Sequence, residues 1–176
     1  DLQWHIKNKS DLTKSQYLFG DLYNAIKDRY PFRESLFSPE IPADVLIKHP
    51  ILRYRKVENG YPLVQMGPGI LTLNTTDDDY YWDDFYSQAE LLLSDFYACI
   101  DSEGRLFRPK LIFADFFIFD FDKHNANDFI NQNFNINFSQ SFISETNPFD
   151  LNLNFFYQTE LGKLTLNIKK GRNSQD

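Results

Sequence analysis

The sequence predicts an α+β protein of mainly antiparallel sheet, built as two β-α-β-β-β halves joined by a long amphipathic helix. Three observations carry this prediction. Short runs alternate apolar and polar residues, turn-forming glycines separate them, and one apolar stripe at helical spacing runs through 81–100. The 176 residues suffice for one domain or two small fused halves, and a hydrophobic fraction of 42% supplies a packed interior.

Leu2, Trp4 and Ile6 alternate with Gln3, His5 and Lys7, the pattern of a half-buried strand. Thr13 stands three residues before Gln16, the spacing of a capping box, and opens a helix whose apolar face is Leu18, Leu22 and Ile26 with Phe19 and Tyr23. Tyr30-Pro31 ends it, because a residue before proline avoids the α region. Residues 31–50 read as loop, with Pro31, Pro39, Pro42 and Pro50. Strands follow at 51–58, 61–67 and 70–75, with turns at Asn59-Gly60 and Gly67-Pro68-Gly69.

Asp77, Asp78 and Asp79 precede the long helix, where negative charge suits the positive end of the macrodipole. Its apolar stripe is Trp82, Phe85, Tyr86, Ala89, Leu92, Leu93, Phe96 and Ile100. Residues 110–121 are nearly continuous in apolar character and read as a central strand buried on both faces. A short helix at 125–132, capped by Asn125, comes next. Phe134, Ile136, Phe138 and Phe142 then alternate with polar residues as a strand, and two more strands at 151–158 and 163–169 close the fold.

Aligning the last hairpin of each half lays Pro62–Asn74 over Phe155–Asn167, with Gln, Gly, Leu, Thr, Leu and Asn in common. Any two hairpins share a turn glycine and alternating leucines, but the matched polar residues favour an internal repeat. The expected organisation is a first half at 1–76, a linking helix at 77–104, a second half at 105–170 and a tail at 171–176, together one compact unit. Gly69 and Gly162 are then expected in equivalent turns.

Val64-Gln65-Met66-Gly67-Pro68-Gly69-Ile70-Leu71-Thr72-Leu73-Asn74, followed by Tyr80, Trp82 and Phe85, resembles a sporadically distributed family of conserved hypothetical proteins in bacteria and archaea. The likeness extends back to Tyr30-Pro31 and forward through 110–121. Members usually carry a Leu-Arg-Tyr-Ile-Asn/Asp pattern on the later strand. Here Ile112-Phe113-Ala114-Asp115 keeps the acid position and loses the Arg-Tyr pair. The resemblance implies a small α+β protein with no established activity, cofactor or catalytic residue, and a patchy distribution that fits defence or mobile-element cargo.

A net charge of −7 disfavours nucleic acid, which repels an acidic surface unless the cations cluster, and leans towards protein or small-molecule partners. Cys99 is the only cysteine and reads as a core residue beside the apolar stripe, so a reducing compartment is expected. No apolar run approaches the roughly 20 residues of a membrane span, and a cytoplasmic protein is the expectation. With Met66 the only methionine, Asp1 is expected to follow processing or the loss of preceding residues.

Asp115 interrupts the apolar run and reads as a buried carboxylate held by a structural partner, or else as a functional acid. Asp120, Asp122 and His124 could hold a divalent metal or perform acid–base work, though a polar strand exit into a helix cap is the preferred reading. Arg53/Arg55 and Lys169/Lys170 could serve a single-stranded nucleic acid, against the plainer reading of half-exposed strand residues. Tyr80 and Tyr81 are the expected partner contacts, with Trp82 the first core residue of the helix. No nucleophile elbow, phosphate-binding glycine loop or metal-ligand spacing occurs, so no cofactor and no metal are expected. The leading expectation is a non-enzymatic module that binds a protein partner. A nucleic-acid or nucleotide sensor and a metal-assisted hydrolase built on Asp115, Asp120, Asp122 and His124 are the alternatives.

Overall fold

The alternation that opens the chain becomes a strand, β1 (Leu2–Trp4), with Leu2 and Trp4 buried and Gln3 between them. The computed structural model describes residues 1–38, 40–42, 44–76, 80–100, 106–137 and 150–171. The chain divides into two units, Asp1–Phe113 and Ala114–Asp176.

In the first unit β1 is followed by α1 (Lys9–Ile26), β2 (Phe32–Ser35), β3 (Leu52–Arg55), β4 (Leu63–Gly67), β5 (Ile70–Asn74), α2 (Trp82–Cys99) and β6 (Phe107–Pro109). The six strands form one antiparallel sheet in the order β2-β3-β4-β5-β1-β6. Strand alternation sends Leu2, Trp4, Leu52, Tyr54, Val64, Met66 and Leu71 into a core shared with Leu18, Leu22 and Ile26 of α1 and Leu92 and Phe96 of α2. Each large side chain so buried stabilises the fold by roughly 1.5–3 kcal/mol. Trp4 and Phe96, with ring centroids 5.1 Å apart, join β1 to α2. The Arg29–Asp95 ion pair ties the end of α1 to α2.

The second unit contains α3 (Ala126–Asn133) and a hairpin of β7 (Asn152–Thr159) and β8 (Gly162–Lys169), paired from Asn152↔Lys169 to Thr159↔Gly162. Asn125 caps α3 as expected, its side chain accepting from the N–H groups of Asn127 (2.8 Å) and Asp128 (3.4 Å).

The α+β class and the antiparallel sheet agree with the sequence. Several finer expectations do not. α1 begins at Lys9 because Asn8, a stronger cap than Thr13, accepts from Asp11 N–H at 3.0 Å, while Asp11 accepts in turn from Lys7 N–H at 3.0 Å. Thr13 bonds back to the Lys9 carbonyl instead. Asn59 takes the expected positive φ, but Arg55 pairs with Leu63, one residue out of register from a tight Asn59-Gly60 hairpin, and a wider loop results. α2 belongs to the first unit, where it packs on α1 and the sheet.

The run 110–121 is not a buried central strand. Its ladder ends where Asp1 and Lys110 bond each other in both directions, and 111–118 lie exposed outside regular structure. Phe134–Asn137 also lie outside regular structure, and Phe138 and Phe142 fall outside the described residues. The internal repeat is therefore not confirmed. Gly69 sits inside the β4–β5 turn at φ +81°, whereas Gly162 is the first residue of β8, paired with Thr159.

Candidate functional site

The four acid–base candidates belong to the second unit and do not converge. Asp115 is exposed and lies on no strand, so it is not the buried carboxylate that the apolar run suggests, and its removal strands no buried partner. Asp120 organises a turn that leads into α3. Its Oδ1 accepts from the N–H groups of Asp122 (3.1 Å) and Lys123 (3.3 Å), and its Oδ2 meets Lys123 Nζ at 2.9 Å. The Lys123 bond is the main cause that holds its carboxyl below the usual carboxylate range. The backbone N–H of His124 donates to the Asp120 carbonyl, and the His124 ring lies 6.0 Å from that of Phe119. These bonds are those of a chain reversal, and no cluster of three metal-ligating residues occurs among the described residues.

Cys99 is half-buried at the end of α2. Burial, with Asp21 and Asp95 nearby, pushes its thiol pKa up, which disfavours the nucleophilic thiolate. Arg53 and Arg55 lie on the sheet face away from the helices, because the residues alternating with them, Leu52 and Tyr54, point into the core. Both guanidinium groups bond Glu34 Oε1, at 3.1 and 2.9 Å. With its amide oxygen turned towards Arg53, Gln65 accepts from Nε (3.1 Å) and Nη2 (3.2 Å). These arginines hold strands together, Glu34 offsets one of their two charges, and their side chains are only 27% and 16% exposed to a phosphate backbone. Lys169 and Lys170 lie in the other unit, where Lys170 Nζ sits 4.2 Å from the Phe121 ring centre.

The larger exposed feature is aromatic and lies at the start of α2. Leu92 and Phe96 are the buried residues of this helix, and no residue of its first two turns is buried. Tyr81 is 67% exposed, Trp82 42% and Tyr86 48%. Trp82 is thus not a core residue, contrary to the helical-spacing argument. It is the hub of an exposed ring cluster, 6.1 Å from Phe85, 5.8 Å from Tyr86 and 5.6 Å from Phe113, with Tyr80 at 5.9 Å from Phe85. Phe113 is 60% exposed, with Leu111 and Ile112 exposed beside it. Tyr80 and Tyr81 are both exposed, while Asp77, Asp78 and Asp79 lie outside the described residues.

Trp82, Tyr86 and Phe113 were not legible as contacts in the sequence. The periodicity that aligns Trp82 with Phe85 and Ala89 does not say how far the core reaches along the helix. Tyr86 carried the one usable signal, since it stands at the edge of the stripe, towards Glu90. Glu90 raises the tyrosine's pKa.

No helix among the described residues is long and apolar enough to cross a membrane. Comparison with protein-family models, with curated proteins and with solved structures finds no match to this chain.

Proposed function

We propose that this chain is a non-enzymatic binding module that docks a protein partner on the aromatic surface where α2 begins. The observation that carries this reading is the connected, solvent-facing cluster of Trp82, Tyr86 and Phe113, with the exposed Tyr81 adjoining Trp82 in the chain. Exposed large side chains scattered singly need no explanation, but rings in mutual contact make an apolar patch of the kind that marks interaction sites. Trp and Tyr supply large contact area at low entropy cost and are enriched where partners bind. Asp115 is exposed and on no strand and Asp120 is occupied by its own turn, which gives the hydrolase alternative no geometric support, and the strand-bonded, largely covered Arg53 and Arg55 weaken the nucleic-acid alternative.

The test is a pull-down with the wild-type chain and with Tyr81→Ala/Trp82→Ala, a pair whose exposure leaves the core intact. Circular dichroism first checks that both are folded. The variant is expected to lose the partner that the wild type retains. Equal recovery of every partner by both proteins removes this surface from consideration.

A further inference from the structure

We infer that the aromatic surface of α2 takes a cationic amphipathic segment, whose lysine or arginine side chains lie between the rings and the carboxylates beside them. This rests on the binding-module reading above and names the chemistry of the partner. The helix Trp82–Cys99 contains four carboxylates and no lysine or arginine. Asp95 is paired with Arg29, while Asp83, Asp84 and Glu90 meet no cation among the described residues.

Their placement decides the argument. At about 100° per residue, Trp82, Tyr86 and Glu90 follow one another along a single flank of the helix, and Asp83 lies on the same flank as Glu90, about two turns before it. Asp84 points away from this flank. Leu92 and Phe96 occupy the buried side. The rings and two of the carboxylates therefore share one exposed flank, edged by Phe113, which Leu111 and Ile112 precede in the chain as exposed residues.

The plainer account of Asp83 and Asp84 is that acids in a first turn suit the macrodipole, an effect that fades within that turn. It does not reach Glu90, which stands two turns into the helix, one turn beyond Tyr86 on the same flank. A cation over a tryptophan or tyrosine face is attracted by the ring quadrupole, and a carboxylate at the ring edge adds to that attraction. The alkyl stem of a lysine or arginine covers the ring at the same time. The partner's own apolar residues then fall on Phe113, Leu111 and Ile112. A neutral or acidic segment would gain the apolar contact only, or be repelled.

The chain carries its own reporter. Of its two tryptophans, Trp4 is 2% exposed and Trp82 42%, so a change in emission on binding reports on Trp82. The full chain is titrated with a synthetic amphipathic peptide of lysine and leucine, and with analogues in which glutamine or glutamate replaces every lysine. The lysine peptide is expected to shift Trp82 emission saturably, about tenfold more tightly than the glutamine analogue, and to weaken with salt. Asp83→Asn/Glu90→Gln should weaken the lysine peptide about fivefold and leave the glutamine analogue unchanged. Asp44→Asn/Glu58→Gln, which removes two exposed carboxylates outside this helix, should change neither.

Equal weakening in both double variants would mean attraction to the overall negative charge, and would overturn the inference. Equal binding of the lysine and glutamine peptides would overturn the cationic partner and leave the binding-module reading standing. A Trp82 signal that no peptide moves would overturn both.

Discussion

A Cβ on Gly67 would overlap the carbonyl oxygen of His49, where the segment before β3 crosses β4. Neither group can step aside freely, because the neighbouring Lys48 N–H is bonded to the Pro68 carbonyl at 2.7 Å and His49 N–H to the Leu46 carbonyl at 3.0 Å. Gly67→Ala is expected to lower stability by ~3 kcal/mol, measured as a fall in the denaturant midpoint with the slope unchanged. An unchanged midpoint would mean that the crossing is absent in solution. The neighbouring Gly69 was legible from sequence, since a Pro-Gly turn asks for φ > 0 at its third residue. The need for Gly67 was not, because it comes from a segment remote in sequence and from no local conformation. Tyr54 poses the opposite case. Its ring stacks on Tyr23 at 5.5 Å, and burial pushes its pKa up to about 12, yet its hydroxyl is buried with no hydrogen-bond partner among the described residues. Removing an unpaired buried hydroxyl removes a desolvation cost, so Tyr54→Phe should be neutral or stabilising by up to ~1 kcal/mol, while Tyr54→Ala should cost ~3–5 kcal/mol through the cavity. Thermal melts of the two variants check this, and a marked loss in Tyr54→Phe would reveal a partner for the hydroxyl.

Among the elements, β2 shows how a strand with every residue exposed still finds its place. It gives the core nothing of its own, and its position rests on the β3 ladder and on Glu34, which faces Arg53 across the strands and also reaches Arg55. The Arg55 hydrogen bond is the largest of the causes that hold the Glu34 carboxyl below its ordinary range. A depressed carboxylate pKa contributes stability that is present above the unfolded value of about 4.3 and is lost as pH falls through the folded value. Glu34→Gln is therefore expected to cost ~0.5 kcal/mol at neutral pH, a small figure because the pair is solvent-screened, and to cost nothing at low pH. Stability of both proteins across pH 2–7 tests it, and a deficit that persists at the acid end would assign the loss to packing. β2 itself was read as loop from its prolines, while the run 110–121 was read as a buried strand. The two errors share one cause. A strand exists by virtue of its neighbour, and the sequence shows apolar content but not which ladder has room for another residue.

At the scale of the whole molecule, apolar content and core part company. The aromatic residues run throughout the chain, yet the buried core cluster lies wholly in Asp1–Phe113, and Ala126 and Ile130 are the only buried apolar residues described in the second unit. The expected boundaries at 76/77 and 104/105 came from treating α2 as a bridge between equal halves. Its stripe was read correctly as apolar, but Leu92 and Phe96 complete the core of the first unit, and nothing in a stripe states which elements it will meet. Ordering a residue's backbone costs roughly 1–2 kcal/mol, and the described residues of the second unit, with two buried apolar side chains and a two-stranded ribbon, supply too little burial to fold cooperatively. The expectation follows for fragments cut at this division. Residues 1–113 should give a single cooperative urea transition with tertiary signals from the buried Trp4, since the core cluster and the six-stranded sheet stay whole. Residues 114–176 should lose structure gradually, with no sigmoidal transition. Urea titrations of both fragments beside the intact chain decide the matter. A gradual loss in 1–113 would show that its core needs the rest of the chain. A sharp transition in 114–176 would show a second core that the buried residues described for that unit do not provide.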